Sequence, residues 1–390
     1  MNPFKRQLTG LLPLFMFAHF GHHLVTALAV PLLPMIRSDF GLDYAQSGLL
    51  ISAFSLAYGI SQLPAGWLAD RIGPRALITI GISGVALAGF FVGLTYHYAM
   101  MAFLFAMMGV LGGGYHPAAP PLISASVPPE NRGRAMGYHM LAGSTPFFLA
   151  PLMAVAIAGV WGWRGAFITM AVPTILFGFL FYVLLGRVSE NGTPKNITEK
   201  PKSDSPSSGR SISSLVPFLV LSSFTHAVTI STIPFIPLFI IDQFGAGKET
   251  AAAFLSIFYS AGLWASLLGG TLSDRIGRVP VVLGVCFVTG PLIYLLNHVG
   301  YGLGIGCLLL ALGVTLYVRT PVSEAYIVGE TSGKNRSTIL GVYYFSNLEG
   351  SGILTPVMGF LIDRYGFDTT FTMSGAALFV LTLKGKKDDL

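Results

Sequence analysis

Gly66-Trp67-Leu68-Ala69-Asp70-Arg71-Ile72-Gly73-Pro74-Arg75 is answered 204 positions later by Gly270-Thr271-Leu272-Ser273-Asp274-Arg275-Ile276-Gly277-Arg278. The same offset, with no gap, takes Leu12-Pro13 to Val216-Pro217, His22 to His226, and Phe40-Gly41 to Phe244-Gly245. It also takes Pro117 to Pro321, Asn131-Arg132 to Asn335-Arg336, Gly137 to Gly341 and Gly162 to Gly366. One apolar unit of roughly 200 residues is written twice. Two copies of a membrane unit in one chain imply a path for a solute between the copies.

The solvent of this unit is lipid. Of 390 residues, 53% are hydrophobic and 10% are charged, and the mean hydropathy is +0.69. A water-soluble domain carries about 25% charged residues, and no polar stretch here is long enough to fold as a separate soluble domain. Cys286 and Cys307 lie in apolar runs and read as small hydrophobes, with no disulfide or metal framework.

A membrane span needs about 20 apolar residues. The sequence predicts twelve, at 9–36, 44–69, 76–96, 98–126, 134–159, 163–187, 213–241, 248–272, 279–297, 300–329, 336–361 and 367–384. The first follows Lys5-Arg6 without a small-residue cleavage site, so it reads as a retained span and not a signal peptide. The expected organisation is an all-α membrane protein of two pseudo-symmetric six-helix bundles. These are residues 1–188 and 213–390, joined by a linker at 189–212 rich in Ser, Pro, Lys and Glu. The sequons at Asn191 and Asn196 fall in that linker, which is expected to be cytoplasmic, and are read as chance.

Orientation follows from Lys and Arg. With the N-terminus inside, 18 of the 23 fall on the cytoplasmic side. Four fall outside (Arg37, Arg164, Lys248, Arg364), and Arg319 lies within the membrane. The positive-inside rule then puts both termini in the cytoplasm of an inner, or plasma, membrane. The net charge of +6 is thereby a topology signal and needs no nucleic acid to explain it.

Twelve spans in two halves, with Gly-x-x-x-Asp-Arg-x-Gly after the second, resemble the major facilitator superfamily. The resemblance covers nearly the whole chain. It implies that Gly66, Asp70, Arg71, Gly73 and Arg75, with Asp274, Arg275 and Gly277, form cytoplasmic gating loops that break and reform during alternating access. The physics of the loop is legible: Gly73 allows a tight turn, and Asp70 can accept from a neighbouring helix N-terminus. The alternative is a turn and a topology signal only. Within the superfamily, Ala18-His19-Phe20, Val30-Pro31-Leu32-Leu33-Pro34 and Gly113-Gly114-Tyr115-His116-Pro117-Ala118 resemble fosmidomycin-resistance-type exporters. The chain departs from that subgroup at His23, where an acid is usual. It departs from many drug/proton antiporters at Phe105, where an Arg is usual, and its Gly143-Ser144-Thr145-Pro146 only partly echoes their Gly-Pro signature.

An ionisable group at membrane depth is a functional hypothesis by default. The second half holds three: Arg319 and Glu324 in span ten and Glu349 in span eleven. Arg319 and Glu324 are five residues apart, about 140° around a helix, and so are poor direct partners. Arg319 therefore needs Glu349, a carbonyl or an anionic substrate, and Pro321 should kink the helix beside it. The superfamily resemblance places spans one, four, seven and ten around the central cavity, and so Arg319 near the path. The first half offers His19, His22, His23, His116 and His139 instead, with His19 and His23 on one helical face. Histidine can carry protons near physiological pH, bind a transition metal, or simply be a hydrogen-bonded core residue. The repeat matches Tyr115-His116-Pro117 with Arg319-Thr320-Pro321, and His22 with His226.

Enzyme readings lack support. Gly245-Ala246-Gly247-Lys248-Glu249 is not a Walker A loop, and no catalytic or cofactor-binding constellation has the right spacing. The sequence implies a secondary active transporter driven by a gradient, with protons and a small molecule as partners and no cofactor. Proton-coupled export of a small drug-like or anionic organic compound is the first expectation. Uptake or exchange of an organic anion is the second, divalent-metal transport through the histidines the third, and a non-transporting membrane sensor the fourth. One chain suffices for a complete path.

Overall fold

Three pairs of glycines, each pair 204 residues apart, adopt the same left-handed backbone in the computed structural model. They are Gly41 and Gly245 (φ 62° and 64°), Gly73 and Gly277 (82° and 93°), and Gly162 and Gly366 (69° and 77°). This region is costly for any side chain with a Cβ. The sequence repeat is therefore also a repeat of backbone breaks. The structure describes residues 11–128, 131–190, 212–331 and 336–387. Gly66, the Asp70 side chain and nearly all of the linker, with both sequons, lie outside the described residues.

Among the described residues nine helical segments are long and apolar enough to cross a membrane, and a tenth is a pair bent by 44°, Lys248–Leu263 and Ala265–Ile276. The others are Leu12–Phe40, Tyr44–Ala65, Pro74–Val92, Tyr98–Ser126, Arg132–Arg187, Leu215–Phe244, Arg278–Leu295, Leu303–Glu330 and Ile339–Lys384. Arg132–Arg187 has 56 residues, which as one straight helix would be about 84 Å long, against a hydrocarbon core of about 30 Å. It is two spans that turn at Gly162, and Ile339–Lys384 likewise turns at Gly366. Counting each of these as two spans and the bent pair as one gives the twelve expected spans, and the fold is the all-α architecture read from the sequence.

The chain divides into two compact units, Met1–Phe40 with Ala53–Lys200, and Gly41–Ser52 with Pro201–Leu390. The boundary passes inside span two. The cores repeat as the sequence does: Leu77, Ile78, Ala118, Ile123 and Ala135 are buried in the first unit, and Val281, Val282, Val322, Ile327 and Ile339, each 204 further on, in the second. Large side chains such as Leu176, Phe179 and Leu267 point outward, fully compatible with lipid as solvent. Lipid removes most of the hydrophobic drive between helices, so close packing at small residues takes its place. A Cβ on Gly109 would strike the carbonyl oxygen of Phe54, and a Cβ on Gly313 that of Phe258. Both glycine and carbonyl are at equivalent positions, so spans two and four cross as spans eight and ten do.

Span two shows how the sequence starts a helix. Asp43-Tyr44-Ala45-Gln46 is a capping box: Asp43 Oδ1 accepts the Gln46 N–H at 2.6 Å, and Gln46 Oε1 accepts the Asp43 N–H at 3.1 Å. The next two free amides, of Tyr44 and Ala45, donate to Asp363 at 3.0 and 2.8 Å within the second unit.

The two central spans differ in one respect from expectation. Span four is interrupted at Gly113-Gly114, between Tyr98–Gly112 and Tyr115–Ser126. Span ten remains one helix, Leu303–Glu330, through Pro321. The residues equivalent to the two glycines are Tyr317 and Val318, which hold a helix where Gly-Gly releases it.

Candidate functional site

Arg319 is the largest fully buried side chain in the molecule's described residues, at 1% exposure. It projects from span ten, and its partners come from spans seven and eleven. Its Nη1 lies 2.7 Å from Ser222 Oγ, 3.0 Å from the Ser222 carbonyl and 3.0 Å from the Tyr343 hydroxyl. Its Nη2 donates to His226 Nδ1 at 2.6 Å and reaches Thr320 Oγ1 at 3.5 Å. A guanidinium has no lone pair to offer, so His226 Nδ1 is the acceptor and the His226 proton sits on Nε2. Ser222 is shared further, at 2.9 Å from Ser323 Oγ and 3.1 Å from the Tyr343 hydroxyl.

Every one of these acceptors is neutral. Among the described residues no carboxylate is ion-paired with Arg319. Glu349, one of the partners the sequence suggested, is not bound to it; its Oε1 is buried without a hydrogen-bond partner. Of the three expected options, the carbonyl is realised, together with two hydroxyls and an imidazole. Glu324 is half-buried, within electrostatic reach of Arg319 and the Tyr344 hydroxyl.

Ser222 and Tyr343 were not among the residues singled out from the sequence. The repeat held the signal for one of them. Tyr343 is His139 plus 204, as Arg319 is Tyr115 plus 204 and His226 is His22 plus 204. The same three scaffold positions thus build a cation cradle in one unit and a ring stack in the other.

That stack belongs to the first unit and runs His139, His19, Tyr115, His22. Centroid separations are 4.0, 5.3 and 4.5 Å, with interplanar angles of 21°, 23° and 11°. His22 donates Nδ1–H to the Gly81 carbonyl at 2.7 Å, and its Nε2 faces the Tyr58 hydroxyl at 3.3 Å. Gly81 lies in a π-helical turn, Ile80–Gly84, that opens the helix and offers this carbonyl. His19 Nδ1 is 2.8 Å from the His139 carbonyl. Gly143 makes room for the His19 ring, since a Cβ there would overlap it. His23 and His116 lie against the edge of the stack, with centroids 4.9 and 5.2 Å from His19 and 5.4 Å from each other. All five expected histidines of this half are therefore brought together. His226 lies in the second unit.

The loops after spans two and eight share their turn. Gly73 and Gly277 each precede the next helix with φ 82° and 93° and ψ 145° and 155°. Arg71 stacks on Trp67 at 4.0 Å. Arg75 donates Nε–H to the Tyr182 carbonyl at 2.7 Å and covers the Tyr182 ring at 3.7 Å, tying the loop to span six. Arg278 ties the second loop to the Ala325 carbonyl of span ten at 2.8 Å. Asp274 and Arg275 are exposed.

A fold of twelve spans in two repeats, with a buried cation in one and glycine-turned acidic loops in both, defines a membrane transporter. The chain belongs to the Major Facilitator Superfamily, whose pattern it matches over residues 15–347 and, overlapping, 219–384. It is 25% identical over 378 residues to the "Probable sulfoacetate transporter SauU" of Cupriavidus necator, covering 89% of this chain and 86% of that one. It is 28% identical over 374 residues to the "Multidrug resistance protein MdtG" of Proteus mirabilis, covering 90% and 89%. It is 34% identical to the "Probable L-galactonate transporter" of Escherichia coli over 178 residues, which are 46% of this chain and only 39% of that relative. The fold matches the inward-facing, unoccupied crystal structure of a bacterial homologue of the human lysosomal transporter Spinster, with a TM-score of 0.75 at 16% identity, over 100% of this chain and 96% of that one. The protein is a multi-pass membrane transporter of small molecules and not an enzyme.

Proposed function

We propose that this transporter carries a small organic anion and that Arg319 is the charge that selects it. The supporting observation is a fully buried guanidinium held only by neutral acceptors among the described residues. A cation at membrane depth is costly without an anion bound to it directly, and Glu324 lies only within electrostatic reach. A carboxylate, sulfonate or phosphate offsets that cost by accepting two parallel N–H bonds from the guanidinium. Ser222, Tyr343 and His226 preorganise its fork until the anion arrives. The galactonate and sulfoacetate in two relatives' names are anions, which favours the same substrate class.

The transport cycle is alternating access, with the Asp70–Arg75 and Asp274–Gly277 loops as cytoplasmic gates. Glu349, with a buried unpartnered oxygen, is the first candidate to carry a coupling proton, and His116 and the span-one histidines are the next. The Lys and Arg distribution supports both termini in the cytoplasm of an inner membrane. Proton-coupled export of a drug-like compound is the second reading, favoured by the relative named for multidrug resistance.

The test is flux in proteoliposomes with a lumenal pH dye, using a panel of organic carboxylates, sulfonates, phosphate esters, cationic antibiotics and divalent metals. Flux of one anion class, lost in Arg319→Ala, is the expected result. A proton movement that accompanies it and disappears in Glu349→Gln identifies the coupling group. Flux of cationic drugs that Arg319→Ala leaves intact favours the second reading. Flux of metals alone favours the histidines as the path, and flux of nothing favours a sensor.

A further inference from the structure

The first unit carries a histidine cluster that selection of the anion at Arg319 does not involve. One nitrogen from each of His19, His23 and His116 lies within 4.8 Å of the other two. The three rings come from spans one and four. His19 and His23 are one helical turn apart, and His116 follows the break at Gly113-Gly114 that lets span four approach. His19 is 2% exposed, and its Nε2 is buried with no hydrogen-bond partner. An unsatisfied buried nitrogen calls for an explanation. Its other nitrogen supplies one: Nδ1–H donates to the His139 carbonyl at 2.8 Å, which leaves the Nε2 lone pair free and aims the ring. A carbonyl that accepts from the far ring nitrogen, fixing tautomer and orientation, is the usual support of a metal-ligating histidine.

We infer that His19 Nε2, His23 and His116 form a binding site for one divalent transition-metal ion of the zinc class. The donor set decides the class. Three neutral imidazoles suit zinc, nickel, copper and cobalt, whereas magnesium and calcium need oxygen ligands. Bonds of about 2.0–2.1 Å put tetrahedral ligand atoms about 3.3 Å apart, so the three rings close inward by an ångström or so onto the ion, and a water completes four-coordination. The ion ties span four, just beyond its Gly-Gly break, to span one. His139 serves as the positioning residue through its carbonyl and its stacked ring, 4.0 Å from that of His19. The site is independent of Arg319 and of which anion is carried.

The test uses the full-length protein without a histidine tag, purified in detergent and stripped with a chelator. Zinc is titrated against a chromophoric competitor, and cobalt is followed by its d–d absorption. One zinc per chain, with the intense visible bands of tetrahedral cobalt, is the expected result. Affinity falls at least tenfold in His116→Ala and in His23→Ala, while His97→Ala, in an exposed loop, changes nothing. Size-exclusion profiles show that each variant is folded, and His116→Gln replaces His116→Ala if the latter is not. The proposal is overturned if the wild type takes no zinc in the micromolar range. It is equally overturned if cobalt shows only weak octahedral bands, or if folded His116 and His23 variants keep wild-type affinity.

Discussion

At the scale of single residues, Arg319 sets the expectations. Truncating one member of a buried charge interaction costs about 2–5 kcal/mol, a loss of roughly 30-fold to several-thousand-fold. Arg319→Ala is expected to lower anion affinity by that factor in a flux or binding assay. Arg319→Lys is expected to restore little, because an ammonium lacks the planar fork. Tyr343→Phe removes an acceptor from a charged donor and is expected to lower stability by about 1.5–3 kcal/mol, read as a fall in melting temperature. Arg319 was legible as a membrane charge in need of a partner. Its partner set was less so, because a serine and a tyrosine in apolar spans look ordinary until folding joins residues 97 and 24 positions away. The offset of 204 applied to His139 points to Tyr343, whereas Ser222 matches Ala18 and had no such signal. Likewise the spacing of His19 and His23 placed them on one face, while the His139 carbonyl, 120 positions away, is a tertiary fact.

At the scale of elements, the breaks were the most readable feature. Gly162 and Gly366 end one span and start another within a few residues, and a positive φ is the reason they must be glycine. Gly162→Ala and Gly366→Ala are each expected to destabilise by about 1–2 kcal/mol. Gly137→Ala, with open space around its Cβ position, is expected to stay within about 0.5 kcal/mol of wild type. Thermal unfolding in one detergent measures all three. The span-two helix start is a second test. Asp363→Ala leaves the Tyr44 and Ala45 amides without their acceptor and is expected to cost about 0.5–2 kcal/mol. The break in span four was harder to place. Pro321 is the expected kink, yet span ten runs through it, and it is span four that parts, at Gly113-Gly114, where glycine frees the backbone.

At the scale of the whole molecule, one repeat of about 200 residues has diverged in chemistry while keeping its packing. The equivalent positions hold a ring stack of Tyr115, His22 and His139 in one unit, and a cation with His226 and Tyr343 in the other. On the proposed reading, one unit of this scaffold recognises charge and the other is left to serve another purpose. The loops proposed as gates belong to this scale. Neutralising Asp274 is expected to slow turnover in proteoliposomes while leaving anion binding unchanged, since the loop supplies none of the groups that hold Arg319. The most direct measurement of the central claim is binding of matched ligand pairs, an organic anion and its neutral amide, to purified wild-type protein and Arg319→Gln by thermal shift. The anion is expected to stabilise the wild type, the amide to do nothing, and Arg319→Gln to lose the difference. Equal stabilisation by the amide, or undiminished anion binding in Arg319→Gln, would contradict the assignment of Arg319 as the selecting charge.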